Sequence, residues 1–314
     1  MKNKYHIICI TPIDHLSETK EILNKNHSFF YKPNIKKKDL KKFLIKNKNI
    51  NAIFCNPNKQ GFILDSWLLS NTGIKYINTA STGTDHIDLS ACKKLKINVY
   101  SLKNDKKLIN KLPSTSELSF CLMIALLKNL ITSHNSIKYK HQWNYENYIG
   151  QELSSLTVGI IGFGRLGKFM AKFCSAFGMN VLIYDKYIKS KKFQNSSLNY
   201  LASKSDVISL HVHLKNDTLH LINKKFLEKC KKKPIIVNTS RGNIVDEKSI
   251  IESLKNKKII GYGADVISDE LKNYKKSIII KNLKNLNIIL TPHLGGMTFQ
   301  GQNRAFKWAA LKFK

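Results

Sequence analysis

The chain has 314 residues, 42% of them hydrophobic, with 53 Lys and Arg against 21 Asp and Glu and a formal charge of +32. That length suffices for two domains with sizeable cores. No apolar run reaches the roughly 18 residues of a spanning helix, and the start MKNKYHIICITPID has too short an apolar run for a signal-peptide core.

Six cysteines (Cys9, Cys55, Cys92, Cys121, Cys174 and Cys230) show no CxxC spacing, and no Cys/His cluster has zinc spacing. Buried free thiols, a reducing cytoplasmic setting and no metal are expected. The positive charge is almost all lysine, with arginine only at Arg165, Arg241 and Arg304. Base readout and phosphate forks favour arginine. The lysines are also spread along the chain, in runs such as 36–38 and 231–233 between apolar segments. The surplus is therefore read as compositional, with no specific nucleic-acid partner and no membrane.

Short apolar strands alternate with amphipathic segments, the pattern of an α/β protein. The first hundred residues give strands at HIICIT (6–11), AIFCN (52–56), KYINT (75–79) and INVYS (97–101). Helical patterns lie between them at 39–48 and 88–96, the second with Asp88 as N-cap. One long helix is expected over 113–138, its FCLMIALL core apolar nearly all round. A connecting loop follows at 143–153. From 156 a second series begins: TVGIIG (157–162), NVLIYD (180–185), DVISLHV (206–212), PIIVNTS (234–240), IGYGADV (260–266) and NIILTP (287–292). These strands are almost continuously apolar, as a parallel sheet buried on both faces requires. A helical pattern closes the chain at TFQGQNRAFKWAALKFK, with no appended regulatory domain expected beyond it.

The first strand of the second series runs into Gly162-Phe-Gly164-Arg-Leu-Gly167 and then a helical pattern. Gly162 permits the tight turn, Gly164 a close pyrophosphate and Gly167 close helix–strand contact, with the helix N-terminus facing the anion. The next strand ends in Asp185, placed to bind both ribose hydroxyls and to repel a 2′-phosphate. NAD is thus expected, and the adjacent Lys186 keeps NADP open. His211 and His213 alternate on a strand, but no third ligand accompanies them.

With this fingerprint joined in order by VNTSRG, GADVISDE and TPHLGG, nearly the whole chain resembles the D-isomer-specific 2-hydroxyacid dehydrogenases. The resemblance implies two doubly wound parallel-sheet α/β domains. An NAD-binding Rossmann domain (102–296) would be inserted in a smaller flavodoxin-like substrate domain (1–101 and 297–314), with substrate bound in the cleft between them.

By the same resemblance Arg241 grips the substrate carboxylate, His293 is the acid/base and Glu270 holds the imidazolium, with Asp269 the nearest competitor for that last role. Gly162, Gly164, Arg165, Leu166, Gly167, Asp185, Thr239, Asp265 and Gly296 would contact NAD. Amides of Ser81, Thr82 and Gly83 would meet the substrate carboxylate. The family usually has proline where His213 and Leu271 stand. The lysine-rich stretch 102–113 would be a loop facing the cleft mouth; it is read first as a solvated loop, with an additional anionic group on the substrate as the alternative. The expected partners are a small 2-hydroxy or 2-keto acid and a second copy of the chain. The competing reading is an NAD(H)-sensing corepressor-like or polyanion-binding protein on the same scaffold. Which 2-hydroxy acid is used is not legible in the residues.

Overall fold

Successive side chains of a strand point to opposite faces, and that alternation accounts for the continuous apolar strands. In the computed structural model, which describes residues 5–25, 27–57, 60–268 and 270–313, the chain divides into two units. Met1–Leu112 with Met297–Lys314 form one, and Pro113–Gly296 form the other.

The first unit carries a five-stranded, wholly parallel sheet of order β2-β1-β3-β4-β5. Its strands are β1 (His6–Cys9), β2 (Ser28–Tyr31), β3 (Ala52–Cys55), β4 (Tyr76–Thr79) and β5 (Asn98–Ser101). This is the flavodoxin-like order. Ile7, Cys9, Ala52 and Phe54 enter one core, while Ile8, Ile53 and Cys55 enter the other. The helix Leu89–Lys94 begins where the sequence puts it, with Asp88 Oδ1 accepting from Ala91 N at 2.9 Å. The closing helix Phe299–Ala310 belongs to this unit: Phe306 and Ala309 join the core, and Asn78 Nδ2 donates to Ala309 O at 3.1 Å.

The second unit carries seven parallel strands in the order β12-β11-β10-β9-β6-β7-β8. They are β6 (Thr157–Ile161), β7 (Asn180–Tyr184), β8 (Gln194–Asn195), β9 (Val207–Leu210), β10 (Ile235–Asn238), β11 (Gly261–Ala264) and β12 (Ile288–Leu290). Chain order reverses at β6, between β7 on one side and β9 on the other, so ligands are expected outside the carboxyl ends of these strands. Ile236 and Ile208 face one core, and Ile235, Val237 and Val207 the other.

Three expectations are corrected. The first boundary falls at Leu112/Pro113 rather than 101/102, because Leu102 is buried in the first unit's core and Leu108, Ile109 and Leu112 cover it. The stretch 102–113 is accordingly not a plain loop: it forms a 3₁₀ turn (Leu102–Asn104) and a short helix (Lys106–Ile109). The single helix over 113–138 is two, Ser114–Leu127 and Leu130–Lys140, broken at Asn129, whose φ of 50° is left-handed. Asparagine is among the few residues that tolerate that conformation. The thiols of Cys9, Cys55, Cys92 and Cys174 are buried and free, while Cys121 is exposed.

Replacing Phe306, 2% exposed and 5.9 Å ring to ring from Phe54, by alanine empties part of the first unit's core. Phe306→Ala should destabilise that unit by about 3–5 kcal/mol. Urea unfolding followed by tryptophan fluorescence reads it, since Trp67 and Trp308 both lie there.

Candidate active site

The turn after β6 is built for close backbone approach. Gly162 has φ +96°, and a Cβ there would lie 2.5 Å from His211 O. A Cβ on Gly167 would lie 1.9 Å from Gly162 O, so the helix Arg165–Ala176 can start this close only with glycine. A Cβ on Gly164 would meet nothing within 4 Å, and no side chain caps the helix that begins beside it. Open space against uncapped first-turn N–H groups is the cradle a pyrophosphate fills.

Asp185 lies past β7, where its Oδ2 accepts from Phe163 N at 2.6 Å and its Oδ1 from Tyr187 N and Ile188 N at 2.8 and 2.9 Å. Partial burial pushes its pKa up, but those three backbone donors outweigh it and hold the carboxyl below the usual range. It is therefore an anion beside the glycine turn, suited to a ribose diol. Two serines of the helix Ser114–Leu127 brace this region: Ser116 Oγ donates to Leu166 O at 2.9 Å, and Ser119 Oγ shares a 2.6 Å hydrogen bond with Thr239 Oγ1. The residues present fit a dinucleotide.

Arg241 follows β10 on a turn fixed by buried Asn238. Asn238 Oδ1 accepts from Ser240 N, and its Nδ2 donates to Arg241 O, both at 3.0 Å. Ser240 Oγ donates to Leu210 O at 2.7 Å, and Arg241 Nη1 donates to Ser240 O at 2.7 Å. A Cβ on Gly242 would sit 2.0 Å from Ile267 C, so glycine lets this turn lie against the backbone that leads to Glu270. That segment is held in turn by Ser268 N donating to Glu247 Oε1 at 2.7 Å.

The third element is the turn after β12. Asp265, 1% exposed at the end of β11, accepts from Thr291 Oγ1 and Leu294 N at 2.6 Å through Oδ1 and from Gly295 N at 2.7 Å through Oδ2. Burial raises its pKa against these three donors. Between the anchored residues, His293 takes a left-handed φ of 57°, its N–H bonded to Asp265 O at 3.0 Å. Its Nδ1 lies 2.8 Å from Glu270 Oε1. That hydrogen bond is the main cause of a raised His293 pKa; burial opposes it, the Glu270 and Asp265 charges add to it, and the Arg241 guanidinium is near enough to oppose it.

Glu270 and His293 thus meet, with Arg241 within electrostatic reach, on the sheet edge that holds the glycine turn. Gly296 ends the unit with open space where a Cβ would stand. Asp269 lies outside the described residues. Ser81–Gly83 form a turn of the first unit, where Thr79 Oγ1 bonds to Ser81 Oγ at 3.2 Å and to His86 Nε2 at 2.9 Å. His211 is spent locally: Nε2 bonds to Ser209 Oγ at 2.9 Å, and burial drives its pKa down to about 3. The sequence reading missed Asn238, Gly242 and the anchoring work of Asp265. A polar residue ending an apolar strand, as in VN and AD, was the available signal.

Comparison with known proteins gives two family matches: D-isomer specific 2-hydroxyacid dehydrogenase, NAD binding domain, over residues 120–295, and the catalytic domain of the same family over 7–107. A hydroxypyruvate reductase of Thermotoga maritima is 35% identical over 233 residues, covering 74% of each chain. A D-3-phosphoglycerate dehydrogenase of Methanocaldococcus jannaschii is 33% identical over 247 residues, which is 77% of this chain but 45% of that protein, so the match spans less than half of its length. The crystal structure of a D-lactate dehydrogenase from Aquifex aeolicus, complexed with NAD and lactic acid, is 29% identical with a TM-score of 0.79, covering 98% of this chain and 93% of that one. The chain belongs to the D-isomer specific 2-hydroxyacid dehydrogenase family, and its second unit carries that family's NAD binding domain.

Proposed function

We propose that the protein is an NAD-dependent oxidoreductase moving a hydride between nicotinamide and C2 of a small D-2-hydroxy acid or its 2-keto acid. The observation that carries this reading is the 2.8 Å His293–Glu270 hydrogen bond on the sheet edge shared with Arg241 and the glycine turn. The relatives named above are called dehydrogenases or reductases, which favours catalysis over the corepressor-like alternative.

Bound NAD supplies the hydride acceptor, held by the Gly162–Gly167 turn and Asp185. The remaining work falls to three side chains. Because Nδ1 of His293 is engaged by Glu270, its N–H points at the carboxylate and the Nε2 lone pair is left as the base. Nε2 takes the hydroxyl proton during oxidation and returns it during reduction, and Glu270 stabilises the imidazolium. Arg241 offers a planar fork that can grip a carboxylate and polarise the C2 oxygen together, which a lysine ammonium cannot. Ser81, Thr82 and Gly83 are proposed substrate contacts on the family resemblance alone.

A second copy of the chain is the proposed partner. The segment from Leu130 onward exposes Tyr139, Trp143 (90%), Tyr145 and Ile149 (76%), a run of large apolar groups rarely left in water. No single helix among the described residues is long and apolar enough to cross a membrane. A cytoplasmic setting is proposed from the free thiols.

Arg241→Lys should lower turnover on the order of 100-fold while NADH binding, read by fluorescence titration, stays unchanged; near-normal turnover refutes the fork. The raised pKa of His293 should appear in NMR titration of its ring, and Glu270→Gln should bring it down toward about 6.5. Reduction needs the protonated ring, so its rate is lost as pH rises through that pKa, and the loss should begin at lower pH in Glu270→Gln. Trp143→Asp should shift the chain toward monomer in sedimentation velocity.

A further inference from the structure

The strand order sets β7 and β9 on either side of β6, so the loops after them flank the glycine turn. Two contacts join those loops. Lys186 Nζ donates to Asp217 Oδ2 at 3.0 Å, and Lys215 Nζ stands 5.9 Å from the ring centre of Tyr187. Lys186 follows Asp185 directly, so its ammonium is tethered to the loop after β7 that carries the Asp185 carboxylate. The Asp185 carboxylate has Lys189 as a neighbouring cation, and the Asp217 carboxylate has Lys186 and Lys215.

A flexible ammonium on this loop is what a 2′-phosphate would recruit, yet the ion pair with Asp217 engages it. Thr218 Oγ1 braces the loop that carries Asp217, accepting from Lys215 N at 2.8 Å and donating to His213 O at 2.6 Å. We propose that Asp217 is a specificity-determining residue that occupies Lys186 and so keeps the site selective for NAD(H) over NADP(H). The inference rests on the NAD-dependent reading above. It adds a second carboxylate, on a different loop, to the discrimination expected of Asp185. The ion pair also shifts both partners: the Asp217 carboxylate holds the Lys186 pKa above its ordinary value, and the Lys186 ammonium holds that of Asp217 below its own.

The test is fluorescence titration of NADH and NADPH onto the full chain, unsubstituted and as Asp217→Asn, Lys186→Ala and the double variant. Exposed pairs are individually weak, so Asp217→Asn should raise NADPH affinity relative to NADH by about 3- to 5-fold at low salt, with NADH binding nearly unchanged. The gain should shrink at about 0.5 M salt and vanish in the double variant. An unchanged ratio, a gain that survives removal of Lys186, or an equal loss for both cofactors would overturn the proposal. The last outcome would make the pair a structural clasp. A chain that binds neither dinucleotide would overturn the NAD-dependent reading, and this proposal with it.

Discussion

One buried carboxylate organises the candidate site. Asp265 leaves β11 with almost no exposure, and three donors from the neighbouring segment after β12 converge on its two oxygens. Hydrogen bonds to a charged acceptor are worth roughly 1.5–3 kcal/mol each, enough to hold a histidine in the left-handed region that non-glycine residues seldom enter. Without that turn, His293 Nδ1 would have no reason to lie 2.8 Å from Glu270. The His293–Glu270 pairing is thus a consequence of parallel register. Ala264 pairs with Leu290, which brings the end of β11 level with the end of β12.

The same logic assembles the rest of the edge. Parallel strands end together, so the loops after β6, β7, β9, β10, β11 and β12 share one rim of the sheet. The glycine turn, Asp185, Arg241, Asp265 and His293 each come from a different one of those loops. Short side-chain to backbone hydrogen bonds fix each loop separately, as Asn238 does for the arginine turn and Thr218 for the loop after β9. The sheet supplies position and the loop ends supply chemistry, which is why widely spaced motifs meet.

Most of this was legible in the residues, and the misses have physical causes. Among the described residues, ten of the twelve strands follow apolar runs that the sequence shows plainly. β2 was missed because SFFY is four residues long with only intermediate burial, and β8 is a two-residue pairing, QN, with no apolar signal. The break at Asn129 was hidden because apolar residues continue on both sides of it, at Leu126, Leu127, Leu130 and Ile131. The domain boundary moved because KKLINKL looks like a solvated lysine stretch, yet its Leu108, Ile109 and Leu112 cover the core. At the site, the family resemblance singled out Arg241, Glu270 and His293, which the fold sets on one rim. It could not reveal that Asp265 already has three donors, since that depends on which strands are neighbours.

The scarcity of arginine sharpens this reading. In a chain whose positive charge is almost wholly lysine, three guanidiniums remain. Arg165 opens the helix of the glycine turn and is substantially desolvated, which lowers its pKa. Arg304 donates to Lys111 O at 2.7 Å, beside the boundary between the two units. Arg241 stands on the fixed turn after β10. Arg241 and Arg304 each donate in a fixed direction, for which a rigid planar group is more useful than a mobile point charge. Lys186 is the instructive opposite. A flexible ammonium beside Asp185 can be drawn aside by one carboxylate on a neighbouring loop, so its charge is adjustable in a way a stacked or forked guanidinium is not. On the proposal above, a single carboxylate on a neighbouring loop decides whether a ligand would meet this lysine.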